Sequence, residues 1–354
     1  MKKKIRVGIL FGGKSAEHEV SVQSAKNVYQ ALDKEKYEPV LIGIDKQGLW
    51  HNLPSPHPFK QSNLTQTVTD VISRSGMTRN LQEDEISHFV RNDNHIDVIF
   101  PVLHGPYGED GTIQGFLKLL GLPFVGAGVL GSAVGMDKDV AKRLLRDAGL
   151  PVARFLVFIR SDNEILSFES VKEELGLPFF VKPANLGSSI GVSRVHSATE
   201  FEVAVAKAFA HDAKILIEEG INAREIECSV LGNEEKITSV PGEIIPSHEF
   251  YDYDAKYIDE SGAKLEIPAK LTKQQTREIQ HLAVRACEVL CVDSMARVDF
   301  FIDKIAHQIY VNEINTIPGF TNISMYPKLW EASGIGYTEL IDRLIQLALD
   351  REKK

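Results

Sequence analysis

Between Met295 and Phe320 the sequence reads MARVDFFIDKIAHQIYVNEINTIPGF, and it sets Arg297, Asp299, Glu313 and Asn315 within two β-branched and aromatic stretches. MARVDFFI and QIYVNEIN are expected strands, joined by a polar turn at about Asp303 to His307. Side chains alternate across a strand, so Arg297, Asp299 and Phe301 share one face, and Val311, Glu313 and Asn315 share one face of the partner. Where those faces coincide, an Asp, a Glu and an Asn converge beside Arg297. These are hard oxygen donors with no Cys or His among them, which suits Mg²⁺ rather than Zn²⁺. Burying such groups unpaired is costly, so a ligand is needed to account for them. A solvent-facing strand pair is the plain alternative.

A second constellation involves phosphate chemistry. The expected strand PFFVKP carries Lys182 inside an apolar run, and Asn185 to Gly191 (NLGSSIG) follows as a small-residue loop. Backbone N–H groups and hydroxyls of such a loop can cradle phosphate. It is not a Walker loop, which requires GxxxxGK[ST]. Glu218 and Glu219 end another expected strand, where carboxylates can take an adenine amine or ribose hydroxyls; surface charge is the alternative. Lys256 lies in the aromatic-rich, aperiodic FYDYDAKYIDESGA stretch, expected to be a mobile loop that covers a phosphate.

Two further groups sit at strand ends. IRVGILFGG followed by KSAEHEVSVQSAKNVYQALD reads as strand, glycine turn and helix, with Val20, Ala25, Val28, Ala31 and Leu32 on the helical face. Glu17-His18-Glu19 stands at the mouth of that turn. A phosphate loop would avoid such negative charge, so a cationic group such as an amine is the expected ligand. HIDVIFPVLHG ends a buried strand in His104, where ligands sit in open α/β sheets, although a lone histidine is more often structural.

The elements that must position these residues form an α/β chain. PVLIGID completes an opening βαβ unit of a parallel sheet. The polar, proline-punctuated stretch from about 51 to 95 is an expected excursion with a short helix. GPYGEDGTIQGFLKLLG holds a helix with Glu109 and Asp110 in its first turn. MDKDVAKRLLRDAGLPVARF is an amphipathic helix and a strand, its Lys138, Lys142, Arg143 and Arg146 on a solvated face. Thr272 to Leu290 is an amphipathic helix, and TIPGFTNISMYPKLWEASG is a loop leading to the closing helix YTELIDRLIQLALD.

The 354 residues suffice for two or three domains, and 43% hydrophobic with 25% charged residues is ordinary for a soluble globular protein. A net charge of -9 leaves no basic footprint for nucleic acid or an anionic membrane. Cys228, Cys287 and Cys291 lack metal-ligand spacing, the last two read as small core residues, and together they fit a reducing compartment. The basic start MKKKIRVGILFGG is an expected strand rather than a signal peptide, and no run approaches the roughly 20 apolar residues of a membrane span. A soluble cytoplasmic protein is expected.

FGGKSAEHEVS, HGPYGEDGTIQG, MDKDVAKRLLRDAG, VKPANLGSSIGVS, FYDYDAKY, ARVDFF and NEINTIPGFTNISMYPKLW occur here in order. With these motifs the chain resembles the D-alanine-D-alanine ligases of the ATP-grasp superfamily essentially end to end, the 51 to 95 stretch excepted. The resemblance implies three domains: a Rossmann-like substrate-binding domain at 1–126, a central subdomain at 127–217 and a C-terminal subdomain with the metal site at 218–354. ATP would lie between the last two. It implies ATP-dependent joining of two D-alanines through an acyl phosphate for peptidoglycan precursor synthesis, in a homodimer.

By the same resemblance Asp299, Glu313 and Asn315 hold two Mg²⁺ (or Mn²⁺) ions, with Glu313 bridging them. Arg297 and the Gly319 N–H stabilise the reacting phosphate and the tetrahedral intermediate. Lys138 and Lys182 hold the α- and β-phosphates, and Lys256 the γ-phosphate. Glu218, Glu219 and Ile221 bind the adenine end and Glu225 the ribose. Glu17 takes the first substrate's ammonium with His104 nearby, while Ser324 and Met325 bind the second carboxylate. Ser188 and Tyr257 bond to Glu17, and Tyr257 goes with dipeptide rather than depsipeptide synthesis.

Overall fold

The computed structural model describes residues 3–53, 80–81, 96–161, 167–246 and 263–353. The Lys256 and Tyr257 assignments, and the excursion apart from two short strands, lie outside the described residues. Among the described residues the strands form three sheets.

The opening βαβ unit is present. β1 (Ile5–Gly12) leads through α1 (His18–Ala31) to β2 (Tyr37–Ile44), followed by β3 (Trp50–Leu53), β4 (Asn80–Leu81) and β5 (Val98–Pro101). The sheet order is β4-β3-β2-β1-β5, with β2, β1 and β5 parallel and β3 and β4 antiparallel at the edge. Gly12 closes β1 at φ +93°, and a Cβ there would sit 2.1 Å from the Ile44 carbonyl oxygen, so glycine is required. The buried face of α1 differs from the expected one. It carries Val22 rather than Val20, together with Ser21, Ser24, Ala25, Asn27 and Val28. Hydrophobic periodicity could not find it because half of that face is polar and hydrogen-bonded.

α2 (Thr112–Leu119) begins after Gly111, so Glu109 and Asp110 precede the helix instead of filling its first turn. α3 (Val129–Met136) and α4 (Lys138–Asp147) come next, and Asp137 caps α4 by accepting from the N–H groups of Asp139 and Val140. A four-stranded antiparallel sheet follows, ordered β6 (Phe155–Ile159), β9 (Lys214–Glu219), β7 (Phe179–Pro183) and β8 (Ser193–Val195). α5 (Phe168–Leu175) and α6 (Ala198–Phe209) bury Val171, Leu175, Phe201 and Ala204 against Phe179, Val181, Ile215 and Ile217.

The third sheet is antiparallel: β13 (Ala263–Glu266), β12 (Gly242–Pro246), β10 (Ala223–Gly232), β14 (Ser294–Asp303) and β15 (Ile309–Asn315), with β11 (Ile237–Thr238) beside β10. α7 (Lys273–Val289) packs on it and starts in a capping box between Thr272 and Gln275. The stretch expected as a loop after β15 contains a helix, α8 (Met325–Ala332). Pro327 falls in its first turn, where the missing N–H costs nothing, so the proline did not forbid it. α9 (Tyr337–Arg351) returns to the first sheet and packs Leu340, Ile341, Leu344 and Ile345 against the cluster of Val7, Ile9, Val98 and Phe100. Each such side chain stabilises by about 1.5–3 kcal/mol when fully buried. Cys228 and Cys287 are core residues, whereas Cys291 is exposed, contrary to expectation.

Candidate active site

Strand register assembles the carboxylate face. In β14, Arg297 lies opposite Asn315 of β15 and Ser229 of β10, and Asp299 lies opposite Glu313 and Glu227. Opposed residues share a face, so Glu227, Asp299 and Glu313 form a row across three strands. Glu225, opposite Phe301, continues that face by one step. A register shift between Asp299 and Phe300 corrects one expectation. The bulge leaves Asn312 unopposed and puts Val311 opposite Phe300 in the core, not beside Glu313 and Asn315.

Like charges side by side need compensation, and Arg297 supplies it. Its Nε and Nη2 donate to the two oxygens of Asp299 at 2.7 Å each, and its Nε lies 2.9 Å from Glu227 Oε2. Burial works against the guanidinium charge, but Asp299 and Glu227 outweigh it and hold the pKa well above its usual range. Asn315 Nδ2 donates to Asp299 Oδ2 at 3.0 Å. Glu313 lies 3.7 Å from the Lys138 ammonium. Among the described residues no set of three His, Cys, Asp or Glu side chains is arranged as a metal site. The donor chemistry that fits a hard divalent cation is the oxygen set of Asp299, Glu313 and Asn315 on one face.

A cationic half adjoins this face. Lys138, at the start of α4, donates to the Leu186 carbonyl at 2.6 Å. Lys182, near the end of β7, is ion-paired to one Glu218 oxygen, and Lys142 of α4 lies 2.5 Å from the other. Burial opposes ionisation of Glu218, but the two lysines outweigh it and hold its carboxyl below the usual range. Lys142 was expected on a solvated face and is 1% exposed. The loop after β7 places Ser188 and Ser189 at φ 52° and 57°, and its turns are closed by the Ile190 N–H donating to the Gly187 carbonyl at 3.2 Å and the Val192 N–H to the Ser189 carbonyl at 3.3 Å.

The same loop reaches the first sheet, where the Ser188 hydroxyl donates to Glu17 Oε1. Glu17 is buried ahead of α1. A Cβ on Gly105 or Gly187 would lie 3.2 or 3.8 Å from its Oε2, so both glycines leave space beside the carboxylate.

His104 is placed differently from a ligand-facing group. Its Nδ1 donates to the Ile317 carbonyl at 3.1 Å, which leaves Nε2 as the acceptor 3.4 Å from the Ser24 hydroxyl. Burial lowers its pKa, so the ring is neutral. Ser24 Oγ accepts the Phe320 N–H at 3.2 Å, and Asn27 donates to the Phe320 carbonyl at 2.9 Å. Ser24 and Asn27 of α1 and His104 after β5 therefore tie the backbone on either side of Pro318 and Gly319 to the first unit. Glu109 completes the brace by accepting from the N–H groups of Gly105 at 2.8 Å and Ile317 at 3.2 Å. Burial, reinforced by nearby Glu17, pushes the Glu109 carboxyl up to about 8.

Gly319 faces the start of α8, where a Cβ would meet Ser324 Oγ at 2.6 Å. Ser324 is the N-terminal cap residue without a side-chain cap bond, and its hydroxyl accepts the Thr321 N–H at 3.0 Å. The backbone N–H of Met325 opens the helix, where an anion is favoured.

Glu17 with Ser188, Arg297 with Asp299 and Asn315, Glu313 with Lys138, Lys182 with Glu218, and Gly319 with Ser324 are thus brought together. The Glu219 carboxylate is not among them: it accepts from Arg154 N and Nε at 2.7 Å each, outside the cluster. Ile221 sits in the turn between β9 and β10. Sequence reasoning missed Glu227, Glu109, Lys142, Ser24 and Asn27. Strand alternation from Glu225 points to Glu227; the others carry no local signal.

The chain matches the family models for the D-ala D-ala ligase N-terminus over residues 6–127 and the D-ala D-ala ligase C-terminus over residues 144–346. It is 52% identical to the D-alanine–D-alanine ligase of Oceanobacillus iheyensis, covering 100% of this chain and 97% of that one. It is 50% identical to D-alanine–D-alanine ligase A of Salmonella typhimurium, covering 98% and 96%. The structure of the D-alanine–D-alanine ligase from Coxiella burnetii superposes with a TM-score of 0.86 at 39% identity, covering 99% of this chain and 95% of that one. The VanG D-Ala:D-Ser ligase from Enterococcus faecalis superposes equally, at 0.86 and 34% identity, covering 98% and 100%. Whole-length identity and whole-length superposition agree, and the chain belongs to the D-alanine–D-alanine ligase family.

Proposed function

We propose that the chain joins two D-alanines to D-alanyl-D-alanine with conversion of ATP to ADP and phosphate, for peptidoglycan precursor synthesis. The observation that carries this reading is the adjacency of three surfaces: a carboxylate row with Arg297, a lysine set around Glu218 that meets it at Lys138 and Glu313, and Glu17 joined to the Ser188 loop. An unactivated carboxylate is a poor acyl donor, and phosphorylation gives it a leaving group. The carboxylate oxygen of the first D-alanine bonds to the γ-phosphorus while the bond to ADP breaks. The amine of the second then attacks the acyl carbon, loses its proton, and phosphate departs.

Each residue has a part to play. Glu17, oriented by Ser188 and Tyr257, takes the first ammonium. Lys138 and Lys182 hold the α- and β-phosphates and Lys256 the γ-phosphate, since phosphoryl transfer requires positioning and positive charge. Arg297 and the Gly319 N–H face the oxygens on which charge develops. Ser324 and the Met325 N–H bind the second carboxylate. Glu218 meets the base, Glu225 the ribose, and Glu219 and Ile221 contribute backbone. Asp299, Glu313 and Asn315 would hold two Mg²⁺ or Mn²⁺ ions with Glu313 shared, and these would neutralise phosphate charge. His104 acts through the Gly319 turn rather than on substrate.

In this reading the chain is an ATP-grasp protein of three units, 1–126, 127–217 and 218–354, with the nucleotide between the last two. It works as a homodimer in the cytoplasm, where ATP is supplied. The test is product mass with D-alanine alone and with D-serine or D-lactate added. The dipeptide should dominate at neutral pH in every mixture. A dominant D-alanyl-D-serine or depsipeptide product would overturn the assignment of the second substrate, and tight ATP binding without D-alanine-dependent ADP release would overturn the ligase reading.

A further inference from the structure

We propose that Lys142 is a positioning residue for nucleotide selection: it holds the Glu218 carboxylate as a charged acceptor for a purine 6-amino group, so that 6-oxopurine triphosphates are rejected. This rests on the reading that Glu218 meets the base.

Lys142 is 1% exposed, and its ammonium lies 2.5 Å from Glu218 Oε1. Helix α4 cannot swing it away, because Asp137 caps the helix and Ala141 and Leu145 anchor it in the core of the third sheet. Lys182 holds the other Glu218 oxygen from β7, directly before the Ser188–Ser189 loop. The two cations therefore differ in what they can do next. Lys182 can turn to a phosphate oxygen beside that loop, whereas Lys142 has no such route. When Lys182 is drawn to phosphate, Lys142 remains as the counter-charge of a carboxylate only 3% exposed.

The chemical consequence is selective. An ionised carboxylate accepts hydrogen bonds and cannot donate one. It matches the amino group of adenine and repels the carbonyl oxygen of hypoxanthine. Without Lys142, once Lys182 is drawn to phosphate, Glu218 takes up a proton and becomes able to donate to that oxygen, which weakens discrimination.

The experiment compares Kd for ATP and inosine triphosphate, with Mg²⁺, in wild type, Lys142→Met, Glu218→Gln and the double variant. Equilibrium binding does not depend on turnover, so the result stands apart from the ligase reading. Wild type should prefer ATP by about 100-fold and Lys142→Met by less than about 10-fold. The double variant, which leaves no uncompensated carboxylate and so guards against a folding defect, should match Glu218→Gln. A wild-type ratio in Lys142→Met, or equal weakening of both nucleotides, would overturn the proposal and leave Lys142 structural. A wild-type ratio in Glu218→Gln would remove the assignment of Glu218 to the base, and the proposal with it.

Discussion

The two halves of the site carry opposite surpluses of charge. Among the described residues of β10, β14 and β15, Glu227, Asp299 and Glu313 share a row with Arg297 beside them. Across β7, β9 and α4, Lys138, Lys142 and Lys182 gather near Glu218. Each half is internally paired at short distance, which lets it fold, yet neither is neutral. The Lys138–Glu313 contact at 3.7 Å is where the halves meet. A ligand combining a divalent cation with a polyphosphate would complete both at once. That complementarity is the physical basis of the proposed nucleotide site.

The acidic side should give the largest effect. Glu313→Gln keeps the side-chain shape but weakens the oxygen donor set, and kcat/KM should fall about 1000-fold or more, equivalent to about 4 kcal/mol. Steady-state ADP release across a Mg²⁺ series checks it, and rates near wild type would remove the metal assignment. The basic side should respond in binding. Lys182→Met should raise KM for ATP by about 10–100-fold. The melting temperature should change little, because Lys142 still compensates Glu218. A large loss of stability with unchanged KM would make Lys182 a structural ion pair.

The brace beneath the Gly319 turn sharpens the contrast, because it is held by a carboxyl that resists ionisation. The Glu109 carboxyl titrates at about 8 in the folded protein against an ordinary 4.5. Its neutral form therefore contributes stability that is full below pH 4.5 and is lost as pH rises through about 8. Glu109→Gln stays neutral at every pH but has one acceptor where two N–H groups need one each. It should be less stable than wild type near pH 5, with the difference shrinking or reversing by pH 8.5. Thermal unfolding across that range checks it; a pH-independent difference would contradict it. Smallest of all, Thr272→Ala removes the α7 capping box, remote from both halves. It should cost about 1 kcal/mol in denaturant unfolding and leave kcat/KM unchanged.

Legibility in the sequence followed how local each feature is. Arg297, Asp299, Glu313 and Asn315 were readable because alternation along a strand is local and the register obeys it. The bulge at Asn312 was not, since it depends on how β15 meets β14. Helix α7 was readable from its amphipathic period between Thr272 and Leu290, while α8 was hidden by Pro327 in a position where proline is harmless. Lys142 looked like any helix-surface lysine, because its burial is decided by β9 and the Glu218 it carries, far away in the chain. Ser24, Asn27 and Glu109 were invisible for a related reason. Their partners are backbone groups of the loop from Ile317 to Phe320, which no pattern in α1 or around Glu109 announces. The motif resemblance reached Glu17, Ser188, Gly319 and Ser324, for which periodicity alone had little to say.

The proposed reaction bonds a carboxylate oxygen of the first D-alanine to the transferred phosphorus. It is tested most directly by supplying D-alanine labelled with ¹⁸O in its carboxylate and weighing the released phosphate. One labelled oxygen in phosphate is expected for each dipeptide formed, because the acyl carbon–oxygen bond breaks in the second step. Unlabelled phosphate accompanying labelled dipeptide would contradict the acyl-phosphate route.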